Sequence, residues 1–341
     1  MDRSIAKIAS HVFFLTVMAV GAGQVHAAEL TLFAGQLGVA GSKDGKAAQA
    51  TFNFPSNVVV DPQGDVYVAD YANQLIRKID PDGTVSTLAG KALAQGKTNG
   101  RGAKARFNGP GCLSLDPYGN LFVRDVSDGR IRKVAPDGTV SNFPGSGTVS
   151  WPDAYGNAVG VTMTGPLTSD GKGGLFVADN VSEVIRRVSA LGDAVVLVGS
   201  GKPNAEDGTG TDASISQIEA MTTDAEGNLY FVDGGNNSLR KLNTSGKVTT
   251  LFQGGDAIKY AQGLAMDKKG NFYVSCQLSA IIQKITPEGV LSTYEGPILS
   301  AEGQKKNPDS KEPTMLGGIA IGPSGDIYVA DSLNQVIWRI H

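Results

Sequence analysis

Asp70, Asp125, Asp179, Asp233 and Asp331 each end a short apolar run, reading YVAD, FVRD, FVAD, YFVD and YVAD. Seven residues beyond the first four stand Arg77, Arg132, Arg186 and Arg240. A recurring carboxylate beside a recurring guanidinium suits either a ring of acid–base groups or an ion pair repeated once per structural unit. One further run, FYVSC, ends in Cys276, and there the arginine position holds Gln283. The two departures occur together, as they must if losing one partner strands the other as an unpaired buried charge. The last copy keeps Asp331 but places Trp338 opposite it. Three positions after each marker come Asn73, Asp128, Ser182, Asn236, Ser279 and Asn334, residues that hydrogen-bond locally in turns. The pairs are therefore expected inside the fold, with the arginines bound rather than displayed.

Other reactive groups are few. The histidines are His11, His26 and His341, so a Ser-His-Asp set is excluded by count once the leader is set aside. Cys112 and Cys276 are expected as free thiols, and without a histidine in reach either lacks the usual activating base. Glu219 and Cys276 are the weak catalytic candidates. The Asp-Gly turns would suit calcium, but each loop holds too few carboxylates for a recognised calcium loop. No cofactor and no resident metal is predicted, with calcium the one alternative left open.

The elements that carry these groups follow from their spacing. The six markers, Cys276 included, fall 55, 54, 54, 43 and 55 residues apart, and a second set, Asp61, Asp116, Asp170, Asp224, Asp267 and Gly322, precedes each by nine. Each unit reads as four strands, in the first copy Asn57 to Val60, Val66 to Ala69, Leu75 to Ile79 and Thr84 to Leu88, joined by DPQGD, DYANQ and DPDG. With 45 glycines in 341 residues, the composition fits many short strands and tight turns. Six four-stranded antiparallel units make an all-β, six-bladed β-propeller. The last unit stops after its third strand, QVIWRIH, and AELTLFAG near the start matches the missing fourth. The segment at about residues 29–34 is expected to complete the last blade and close the ring. The connections repeat as well: Asp44-Gly45, Asn99-Gly100, Asp153-Ala154 and Asp207-Gly208 each precede an apolar anchor, Phe52, Phe107, Val161 or Ile215, by eight residues.

The stretch FPSNVVVDPQGDVYVADYANQLIRKIDPDGTVSTLAG resembles the NHL repeat, and the resemblance extends over residues 28–341 as a single domain. It implies a six-bladed β-propeller and no single activity, because similar propellers serve as binding platforms, lyases and lactone hydrolases. The lyases of this kind lean on histidines, which this chain lacks outside its ends.

Function is expected where the repeat is broken, since structure accounts for its regular positions. In the second copy Arg124 stands where Ala69, Ala178 and Ala330 stand elsewhere, and Cys112 where Gly263 and Gly318 do. In the fifth, Cys276 and Gln277 replace the usual pair, and the preceding connection is shortened. Asn57, Tyr71, Cys112, Arg124, Asn180, Gln262 and Gln277 are expected to line the channel mouth on the loop-rich face, with a lowered rim between blades four and five. The expected role is a monomeric binding module for a protein, peptide or glycan. The alternative is a calcium-dependent lactonase-like hydrolase or a lyase, for which Glu219 is the residue to test.

Residues 1–27 read as a signal peptide, with Arg3 and Lys7 before an apolar run from Val12 to Ala22 and Val25-His26-Ala27 as the cleavage site. This predicts a periplasmic or secreted protein with no membrane span after cleavage. Arg3, Lys7 and Asp2 leave with that segment, shifting the formal charge from −3 to −4, a poor balance for nucleic acid. Exported material should begin at Ala28 by intact-mass measurement; a secreted form still carrying His26 would contradict the cleavage site.

Overall fold

A computed structural model describes residues 29–144, 150–152, 158–160, 165–306 and 311–341. The signal segment, Asp153-Ala154 and Val161 lie outside the described residues. Six antiparallel sheets stand in a ring, and a separate two-stranded ribbon pairs Ser150–Pro152 with Ala158–Gly160. The innermost strands are Pro55–Val60, Pro110–Leu115, Leu167–Ser169, Ile218–Thr223, Ala261–Met266 and Leu316–Ile321. Each is followed outward by the marker strand, the arginine strand and an outer strand.

Blade six is closed as the spacing predicts. Leu30–Gly35 pairs with Val336–Ile340, Leu30 opposite Ile340 and Gly35 opposite Val336. Three blades exceed the expected four strands. Gly45–Lys46, Gly100–Arg101 and Gly208–Thr209, the repeated connection turns, each add a two-residue strand to the outer edge of blades one, two and four. An outer edge left bare would present unpaired backbone groups, and the connection covers it.

Burial explains why the marker strands are apolar on both sides. Val66–Asp70, Leu175–Asp179, Leu229–Asp233, Phe272–Cys276 and Ile327–Asp331 are buried at every residue, because each sheet is covered on both faces by neighbouring blades. The core is accordingly split into six clusters, one at each blade-to-blade interface; that between blades one and six joins Val58, Val68 and Phe52 to Tyr328, Ala330 and Ile337. No helix among the described residues is long and apolar enough to cross a membrane.

Arg77, Arg132, Arg186 and Arg240 are fully buried and lie 2.8, 3.3, 2.9 and 2.8 Å from the carboxylates of Asp70, Asp125, Asp179 and Asp233. Arg77 also donates to Asp44 at 2.6 Å and to the Lys43 and Thr51 carbonyls at 3.0 Å each, with its guanidinium over the Phe52 ring. Arg132 repeats this with Asn99, Thr98 and Arg106, and Arg240 with Asp207, Glu206 and Ser214. One side chain thus ties two strands of a blade to the connection that crosses them. Asn73 completes the knot, donating to Asp70 at 2.8 Å and to the Gly41 carbonyl at 2.7 Å. The Asp-Gly carboxylates of blades one and four are occupied by these arginines and by Thr87 and Thr250.

The last blade solves the same problem without an arginine. The Trp338 indole N–H donates to Asp331 at 2.7 Å, and Asn334 adds a bond of 2.8 Å. In blade five the Cys276 thiol donates to the Ala257 carbonyl at 3.6 Å, while Gln283 accepts from Thr293 within its own blade.

Arg77→Met should cost about 3–5 kcal/mol in urea denaturation, because it leaves Asp70 buried without its cation. Trp338→Phe keeps the ring and should cost about 1–3 kcal/mol through the lost donor. Lys46→Met, which removes an exposed pair with Asp82, should leave the midpoint unchanged. Comparable small effects for all three would show that the buried pairs do not anchor the blades.

Candidate functional site

Five of the innermost strands start with a bulge. Their pairing slips between Pro55 and Asn57, Pro110 and Cys112, Ile218 and Ala220, Ala261 and Gly263, and Leu316 and Ile319. A bulge leaves one residue out of the ladder and re-aims it. The residues so released, Ser56, Gly111, Glu219, Gln262 and Gly317, line the mouth of the central channel. Residues that follow the markers, Tyr71, Val126, Asn180, Gln277 and Ser332, complete a cavity of about 380 Å³. Below it lies a second cavity of about 270 Å³, walled by the innermost strands and sharing Asn57, Cys112, Pro166 and Gln262 with the first.

All seven residues expected at the mouth, Asn57, Tyr71, Cys112, Arg124, Asn180, Gln262 and Gln277, line this upper cavity, and Glu219 joins them. Cys276 does not. It is 1% exposed in the core between blades four and five, and its thiol is pushed up to about 12 by burial and by the Glu219 carboxylate. Burial also raises the Cys112 thiol, with Arg124 nearby opposing the shift. Both cysteines are free. The shortened connection before blade five folds as a single turn, Gly255–Ile258, anchored by buried Ile258.

Several of these irregular residues join one blade to the next. Ser56 Oγ donates to the Gly111 carbonyl at 2.9 Å, and Arg124 Nη1 donates to the Gly165 carbonyl. The partner of Arg124 in the next blade is thus a backbone carbonyl and not a carboxylate. The Asn180 amide exchanges two 2.9 Å bonds with the backbone of Ile218. Glu219 accepts the Ala261 N–H at 2.7 Å, Ser275 donates to Gly317 at 2.6 Å, and Ser332 donates to Pro55 at 2.8 Å. All six blade junctions around the mouth are thus bridged, each by a different side chain. Ser56, Ser275 and Ser332 escaped the sequence reading. A usable signal existed for the bulges: fourteen residues before each marker stand Ser56, Gly111, Gly165, Glu219, Gln262 and Gly317, polar or glycine in otherwise apolar strands.

The remaining capacity for ligands is specific. Asn57 spends Oδ1 on the Leu113 N–H, and its amide nitrogen occupies the space that a Cβ at Gly318 would need. Gly234 makes the same allowance for the Glu219 carboxyl group. Burial holds the Glu219 carboxyl above the usual carboxylate range, partly offset by the Ala261 N–H. Gln262, Gln277 and the Tyr71 hydroxyl have no hydrogen-bond partner among the described residues, and Tyr71 packs at 6.0 Å from Phe54. Glu219 is the sole carboxylate among the residues lining the cavity, and among the described residues no three His, Cys, Asp or Glu side chains cluster to hold a metal. Calcium asks for six to eight oxygen ligands, several of them carboxylate, and this donor set does not fit it. His341 lies elsewhere, with Nδ1 3.0 Å from Asp326.

A disulfide-exchange reagent at pH 8 should leave Cys276 untouched until the protein unfolds and should modify Cys112 about tenfold or more slowly than an unstructured cysteine. Rapid native-state labelling of either would reopen a nucleophilic role.

Comparisons with known proteins agree with this architecture. The NHL repeat family matches residues 52–79. NHL repeat-containing protein 2 of Bos taurus is 31% identical over 334 residues, covering 87% of this chain and 40% of that protein. The chain spans between 26% and 40% of the length of the first three curated relatives it matches. Among solved structures, virginiamycin B lyase from Staphylococcus aureus superposes with a TM-score of 0.55 at 17% identity, covering 92% of this chain and 99% of that one. A gluconolactonase from Xanthomonas campestris reaches 0.59 at 10% identity, covering 93% and 90%. At such identities these likenesses speak for the fold alone. Repeat match, relatives and blade count converge: the chain is an NHL-repeat protein folded as a six-bladed β-propeller.

Proposed function

We propose that the protein is an exported binding module that takes its ligand at the channel mouth on the loop-rich face. The observation that carries this reading is the division of labour around the upper cavity. Groups suited to covalent or acid–base chemistry are tied into the frame or held neutral: Glu219 holds Ala261 through Oε2, Arg124 holds Gly165 through Nη1, and both thiols are raised by burial. Groups suited to recognition face the cavity with bonds to spare, namely Gln262, Gln277 and Tyr71. Convergent polar groups in a preformed concave site are what small-ligand and peptide sites share.

The surrounding face supports contact with a partner. Leu93, Val181 and Leu278 stand 75%, 67% and 52% exposed on loops of this face. Leu93 also adopts the left-handed conformation, φ +57°, at a loop position where the first connection has Gly38 at φ +68°. A bulky residue in that conformation costs of order 1 kcal/mol or more, and such strain concentrates at functional loops.

A hydrolase reading rests on the raised Glu219 carboxyl, a pattern found in acid–base residues. The two readings separate in one thermal-shift experiment against metals, sugar lactones, oligosaccharides and peptides. For a binding module, a metal-independent ligand should raise the melting temperature by about 2 °C or more, and Gln277→Trp, which fills the mouth, should abolish the shift. A calcium-dependent rise lost in Glu219→Gln, which preserves the bond to Ala261, would favour the hydrolase. A ligand shift indifferent to Gln277→Trp would place binding away from the mouth.

A further inference from the structure

The upper cavity contains one guanidinium and one carboxylate, and they do not neutralise each other. Arg124 belongs to blade two and leans toward blade three; Glu219 belongs to blade four and leans toward blade five. No ion pair joins them. Each is held by one backbone bond to the next blade, which fixes its position and leaves the other half of the group, Nη2 or Oε1, without a hydrogen-bond partner among the described residues. Space for Glu219 is cleared by Gly234.

Two opposite charges, partly desolvated and separately fixed, are costly unless something completes them. A neutral glycan would supply hydroxyl groups but no counter-charge to either. An anion alone would satisfy Arg124 and be repelled by Glu219, and a simple cation would do the reverse. The same cavity is lined by two amides without a partner among the described residues, Gln262 and Gln277, each able to donate and accept as a peptide bond requires, and by apolar wall from Phe54 and Ile218.

Resting on the mouth as the binding site, we propose that the ligand is a short zwitterionic peptide, its terminal carboxylate on Arg124 and its terminal ammonium on Glu219. Both protein charges are already immobilised, so little order is lost on binding them. Charge-assisted bonds of this kind are roughly twice as strong as neutral ones, and removing either ligand charge leaves a protein charge exposed to desolvation without return.

The test changes the ligand and leaves the protein intact. The full protein is titrated calorimetrically with tri-alanine, a mixed tripeptide pool, and the N-acetylated and C-amidated forms of each. The expected result is binding of the free peptides, weakened about tenfold or more by either cap, and lost in Gln277→Trp. Glu219→Gln, which keeps the Ala261 bond, should weaken the free peptide but not the N-acetylated one. Binding at the mouth that ignores both caps would overturn the zwitterionic ligand while leaving the mouth in place as a site. Peptide binding that survives Gln277→Trp would overturn both. No binding of any free peptide, beside a glycan or lactone that binds and is blocked by Gln277→Trp, would overturn the peptide alone.

Discussion

A sheet that is apolar on both faces cannot cover itself, and every other feature of this molecule answers to that constraint. Each blade hides its faces against two neighbours, so the first and last must also meet, and the ring has to close. Closure is supplied by Leu30–Gly35 lying against Val336–Ile340. The six separate core clusters record the same demand, because apolar area is buried between blades and not at a shared centre. What remains at the centre is a channel, and its upper end is the concavity where a ligand would sit.

Two sets of polar side chains then hold the geometry that burial alone leaves loose. Within blades one, two and four, a buried arginine joins the marker aspartate to the overlying connection; between blades, six side chains of four kinds bridge to the backbone of the neighbour around the mouth. The first set is regular and the second is not. Repeated units can share a repeated internal tie, whereas the six junctions are bridged from different positions of the blade, so serine, arginine, asparagine and glutamate all serve. The mouth is therefore rigid for the same reason it is chemically varied.

Much of this was legible in the residues. Two markers in fixed register gave the blade count, and a missing last strand matched by AELTLFAG gave the closure. The coupled loss of Asp and Arg in blade five announced a buried pair, and Trp338, which weakened that inference, proves to be a substitute donor to the same carboxylate. The short fifth strands escaped notice because two residues of an Asp-Gly turn carry no strand pattern. The junction bonds of Arg124, Asn180 and Glu219 escaped too, since a break in a repeat looks the same whether it serves a neighbouring blade or a ligand. Only the direction of each side chain separates those uses, and at Glu219 that direction is set by a bulge that propensity does not register.

The latch also sets how the ring bears load. Leu30 and Ile340 face each other at the open end of the closing pair, and the His341 N–H reaches the Glu29 carbonyl beside them. A force that draws the two ends apart would therefore act on that pair one hydrogen bond at a time, as a zipper is opened, because antiparallel ladder bonds lie across the strands and not along them. Blade six is the mechanical weak point under tension on the termini, while a push or pull on the loop face is shared among all six junctions at once.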